Sequence, residues 1–70
     1  MYLAILETYY PIYATGKTHA ETKSNLVKAY KELYPEASQR TFGNPSYDDL
    51  AEYFGCSITK LDPARPYGFI

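Results

Sequence analysis

The side chains able to do chemistry in this sequence are few, and their spacing decides against most of what they could do. Gly16-Lys17-Thr18 has the types of a phosphate-cradling loop, where backbone amides and the lysine hold phosphate oxygens. That loop needs a glycine five residues before Gly16, and Pro11 stands there. A turn feeding a helix cap accounts for the triplet. His19 has no cysteine or serine placed to make a catalytic constellation with it. It falls in the first turn of an expected helix, where a positive imidazole is disfavoured, and it is expected at the surface. Cys56 is the single cysteine, between an apolar helix and a β-branched run, and reads as a small apolar residue. With one His and one Cys, a structural zinc site would need carboxylates to complete it. Glu7, Asp48, Asp49 and Glu52 could make an acid pair, but capping and solvation explain them more simply. The expectation is a protein that is not an enzyme, with no cofactor and no metal.

The tyrosines are the anomaly. Nine Tyr and three Phe in 70 residues are more than a core of this size can enclose. The helical stripes claim Tyr30, Tyr34 and Tyr47, which leaves Tyr9, Tyr10, Tyr13 and Tyr53 at least partly exposed. Exposed tyrosine is large, stiff and amphipathic, and is enriched at protein interfaces. These are the candidate partner-binding residues. The competing reading is a thin core with tyrosine at wet edges.

Length and charge narrow the classes. A chain of 70 residues forms one domain and buries only about 60% of its unfolded surface. Lacking a second cysteine for an internal disulfide, it depends on aromatic packing or self-association for stability, so a homodimer is among the expected assemblies. A formal charge of -1 and a pI near 5.7 argue against electrostatic nucleic-acid binding, making direct DNA binding unexpected. No apolar run is long enough for a bilayer, and residues 1–6 lack a basic region and cleavage site. With a lone thiol, the expected location is the cytoplasm, the host's if the chain is phage-encoded.

The elements that position these residues follow from periodicity and punctuation. Residues 1–8 are apolar and short, and predict a strand; residues 12–15 predict a second extended segment, with Pro11 at an edge or break. Thr18 and Glu21 make a capping box for a helix over residues 19–34, with Leu26, Val27, Tyr30, Leu33 and Tyr34 as its stripe and Ala20 above them. Pro35 ends it. Residues 36–45, with Arg40, Phe42, Gly43, Asn44 and Pro45, read as a loop. Ser46 and Asp49 box a shorter helix, with Tyr47, Leu50, Ala51 and Phe54 in an i, i+3, i+4, i+7 pattern and Gly55 as its stop. The period then changes to alternation over residues 56–61, a strand. Asp62-Pro63 ends that strand, and the apolar tail 67–70 is expected to dock.

Two stretches resemble known families. "LAEYFGCSITKL", within residues 46–61, is similar to the helix-turn-helix of Cro/repressor-like proteins, which implies a DNA-reading helix from Ser57 onward. Asp62-Pro63 would cut that helix to little more than one turn, and Asp48, Asp49 and Glu52 oppose phosphate contacts. "YATGKTHAETKSNLVKAY" is similar to the strand-to-helix segment of HicB-type antitoxins, without the strands and Pro-Gly-rich loop that precede it there.

The fold expected is a small α+β single domain over 1–70: an antiparallel sheet of two to four strands packed against one long and one short helix. The first function expected is a non-enzymatic interaction protein that inhibits or modulates a partner protein or a protein–nucleic acid complex. Its scale and composition are similar to phage or mobile-element accessory proteins of the anti-CRISPR or anti-restriction kind. The alternative is a nucleic-acid-binding transcriptional regulator or antitoxin using residues 46–61.

Overall fold

The computed structural model describes residues 1–61, and the tail expected to dock lies outside the described residues. Three strands form one antiparallel sheet: β1 (Tyr2–Leu6) in the centre, β2 (Ile12–Gly16) on one side and β3 (Cys56–Lys60) on the other. Between β2 and β3 run α1 (His19–Leu33), a short helical turn α2 (Pro35–Ala37) that opens into a π-helical turn at Ser38–Phe42, and α3 (Tyr47–Phe54). The chain is a small α+β domain, as its pattern predicts.

The register sorts the strand residues into two faces. Leu6 lies between Ile12 and Cys56, and Ala4 between Ala14 and Ile58. These residues carry the core together with Leu26 and Tyr30 of α1 and Leu50 of α3. Because side chains alternate along a strand, Leu3, Ile5, Tyr13, Thr15, Ser57 and Thr59 lie on the opposite face. The described helices pack on the first face only.

The caps set the helix ends. The Thr18 hydroxyl accepts from the Glu21 amide at 3.1 Å, and Gly55 stops α3 with φ at 86°. At Ser46 the box is reciprocal: its hydroxyl accepts from the Asp49 amide at 3.2 Å, and Asp49 Oδ2 accepts from the Ser46 amide at 3.1 Å. At Thr18 only the forward half forms, so the full box expected there is corrected to a simple cap.

Other expectations are revised. The first strand is shorter than residues 1–8, because Thr8 turns back: its amide donates to the Leu6 carbonyl at 2.9 Å. The buried line of α1 is Thr22, Leu26 and Tyr30, while Ala20 and Leu33 are exposed. Thr22 takes the inner position because α1 crosses β2 at Gly16. A Cβ on Gly16 would stand 2.6 Å from the Thr22 amide nitrogen, so only glycine admits that approach. Of residues 36–45, expected as a loop, 36–42 are helical. Pro35 ends α1 and also serves as the first residue of α2, where its missing amide costs nothing. The Gly43 amide closes the wide turn on the Ser38 carbonyl at 2.8 Å, with φ at 75°. This turn carries Phe42 inward to Tyr30 and Phe54.

Residues 46–61 do not form a helix-turn-helix. After Gly55 the chain enters β3 at once, and its bonds go to β1. The β-branched Ile58 and Thr59 pair across the sheet instead of starting a recognition helix.

Candidate partner-binding surface

The exposed tyrosines are the ones that the competition for core space leaves over. Tyr9 is 87% exposed, Tyr10 71%, Tyr13 70% and Tyr53 66%. The structure sets Tyr9 and Tyr10 side by side in the β1–β2 connection, Tyr13 within β2 opposite Ile5, and Tyr53 elsewhere, on α3.

The connection is held from within, so its rings project from a fixed base. Thr8 is buried, and its hydroxyl donates to the Tyr10 carbonyl at 2.7 Å. The Tyr34 hydroxyl donates to the same carbonyl at 2.9 Å and accepts from the Tyr10 amide at 3.2 Å. Tyr34 is in turn stacked on buried Tyr30, ring centroids 5.5 Å apart. The chain of contacts thus runs from the core to the Tyr10 backbone. Outside it, the Tyr9 and Tyr10 rings meet edge to face at 4.7 Å, an arrangement favoured by their quadrupoles.

Tyr13 borders a second feature. It lines an apolar groove of 330 Å³ with Leu3, Ile5 and Pro11 and with core residue Ile12, and Leu3, Ile5 and Tyr13 belong to the sheet face away from the helices. None of the strand residues on that face, from Leu3 to Thr59, carries a charge. The exposure expected of Tyr9, Tyr10 and Tyr13 is seen, whereas the groove lined by Leu3, Ile5, Pro11 and Ile12 was not expected. The signal was present: Tyr2–Leu6 is apolar at every position, the pattern of a strand covered on both faces.

Tyr53 lies on α3 beside Phe42 and Phe54, at 5.4 and 4.8 Å between centroids. It lines a separate, open groove of 430 Å³ with Phe42, Asp49 and Glu52. Tyr47, expected in the core, is half-buried with Lys23 Nζ 4.9 Å from its ring centre. Burial first, and the neighbouring Cys56 thiol second, push its phenol up to about 12. Burial likewise raises Tyr30.

The chemically able residues remain apart. His19 is exposed and meets the Tyr2 ring edge-on at 4.3 Å. Gly16 is the end of β2 and Thr18 a helix cap, so Lys17 sits between a strand and a helix start rather than in a loop that wraps an anion. Cys56 is half-buried at the start of β3. Among the described residues, no group of His, Cys, Asp or Glu gathers closely enough to hold a metal ion, and no buried side-chain polar atom lacks a partner. Among the same residues, no helix is long and apolar enough to cross a membrane.

Comparison with protein families, with curated proteins and with solved structures finds no match to this chain. The class defined by the structure is therefore that of a small α+β domain with a three-stranded antiparallel sheet.

Proposed function

We propose that this protein is a non-enzymatic binding module that engages a partner protein through Tyr9, Tyr10, Tyr13 and the groove beside them. The observation that carries this reading is the conjunction at one end of the sheet. An uncharged face with an apolar groove is edged by exposed Tyr13 of β2, next to the connection that carries exposed Tyr9 and Tyr10 and is pinned to the core through Tyr34. Binding surfaces gain most from rigid aromatic anchors around a desolvated centre, since little side-chain entropy is lost on docking. Tyr53, on its own groove, is a second and separate contact.

In this reading the partner is a protein or a nucleoprotein complex in the cytoplasm, which the module inhibits or modulates. The small size and slightly acidic charge suit an accessory protein of the phage or mobile-element kind. Direct DNA reading lacks its helix, since residues 56–60 are a strand.

The test is capture from a lysate of the source organism with the parent chain and with Tyr13→Lys, which places a charge on the neutral face. A protein retained by the parent and lost with Tyr13→Lys, at unchanged melting temperature, is the expected result. Equal capture by both chains would remove this face from the function.

A further inference from the structure

The two edges of the sheet are treated differently, and hydrogen-bond phase shows how. The Leu61 amide donates to the Met1 carbonyl at 2.8 Å, and the Glu7 amide donates to the Gly55 carbonyl at 3.0 Å. These bonds extend the β1–β3 register by one pair at each end. In an antiparallel ladder, bonded and non-bonded pairs alternate. Gly55, Ser57, Thr59 and Leu61 therefore turn their backbone groups toward β1, and Cys56, Ile58 and Lys60 turn theirs to the outer edge. The same alternation across β1 puts Tyr13 and Thr15 on the outer edge of β2.

The β2 edge is guarded. The Thr15 carbonyl accepts from Asn25 Nδ2 of α1 at 2.8 Å, and Pro11, next in phase before Tyr13, has no amide to offer. On the β3 edge no side chain among the described residues bonds an outward backbone group, and the one charge, Lys60, stands at the end of the strand. It has no proline, its partner β1 lies on one side only, and Cys56 and Ile58 are half-buried. An edge of this kind is a template for another strand.

We infer that the outer edge of β3 pairs antiparallel with β3 of a second copy of this chain, on a two-fold axis at Ile58. The strand is self-complementary in that register. Ile58 faces the second copy's Ile58, and Cys56 faces Lys60, so every outward amide meets a carbonyl. Ser57 faces Thr59, a hydroxyl pair of the kind favoured across strands. Lys60 is the strand's one charge, and it opposes a neutral thiol rather than another lysine. Centring the axis on Ser57 or Thr59 leaves one outward residue without a partner. The pairing covers half-buried Ile58, and joins the uncharged faces of two three-stranded sheets into one.

The test combines sedimentation of the full chain with thiol cross-linking. The parent is expected to show a monomer–dimer equilibrium. Lys60→Pro removes an outward amide while leaving the β1–β3 bonds in place, and should weaken the dimer about tenfold or more. In a Cys56→Ser background, Ile58→Cys places two thiols on the axis, where directly opposed Cα atoms lie about 5.5 Å apart, within disulfide range. It should oxidise to a covalent dimer with a native far-UV spectrum. Thr59→Cys in the same background sets the thiols two residues out of step and should not. A parent that stays monomeric to about 1 mM overturns the proposal, as does a dimer indifferent to Lys60→Pro or cross-linking equally at both positions. If Lys60→Pro does not fold, the cysteine pair decides. A monomer that accepts only foreign strands also overturns it.

Discussion

At the scale of residues, the tyrosines divide by what their hydroxyls and rings touch. Tyr30 is enclosed by Tyr34, Phe42 and Phe54, and Tyr30→Ala should cost about 3–5 kcal/mol, as truncation of a buried aromatic does. Tyr9→Ala, Tyr10→Ala and Tyr13→Ala should each stay within about 0.5 kcal/mol of the parent, because their rings project outward. Tyr53→Ala should fall between, at about 1 kcal/mol, since it loses edge-to-face contacts with Phe42 and Phe54. Chemical denaturation of the five variants checks the order. Tyr34→Phe isolates the hydroxyl that grips Tyr10: it should cost about 1 kcal/mol and speed amide exchange at Tyr10. Gly16→Ala acts by a different route. Its methyl would press on the Thr22 backbone, which cannot rotate away, so a loss of about 1–3 kcal/mol is expected in the same assay.

At the scale of elements, the caps make the boundaries legible. Ser46, Asp49 and Gly55 mark both ends of α3, and the change of period after Gly55 marks β3, so helix, glycine and strand are legible in the sequence. Pro35 was less informative, because proline ends one helix and begins another with equal ease; the turn carrying Phe42 inward was hidden for that reason. The exposed tyrosines were legible because the core could not hold them all. The groove was not, because Leu3 and Ile5 look like core residues until the sheet's faces and helices are placed. The caps also differ in what their loss leaves. Ser46→Ala and Thr18→Ala should each cost about 1 kcal/mol, since each removes the hydroxyl that accepts from the amide three residues on; at Ser46 the Asp49 carboxylate keeps its bond from the Ser46 backbone amide. Urea midpoints of the two variants compare them directly.

At the scale of the whole molecule, the phenols of half-buried Tyr47 and buried Tyr30 tie stability to pH. Tyr47 and Tyr30 hold their protons more tightly folded than unfolded, since burial disfavours the phenolate. A pKa raised on folding gives stability that is complete below the unfolded value near 10 and is lost as pH rises through the folded value near 12. Thermal melting should therefore be flat toward pH 9 and fall between about pH 10 and 12, and Tyr47→Phe should flatten that fall. The larger asymmetry is in the sheet: among the described residues the helices cover one face, and the other, with Leu3 buried and Ile5 half-buried, carries no charged strand residue and is edged by Tyr13. The central claim is that this surface and its neighbouring tyrosines serve a partner rather than the fold. The most direct measurement is the dissociation constant of the captured partner for the parent and for Tyr13→Ala, taken beside their melting temperatures. The account predicts binding weaker by about thirtyfold or more with melting unchanged, the mark of an anchor residue. Equal affinities, or a variant that melts far below the parent, would contradict it.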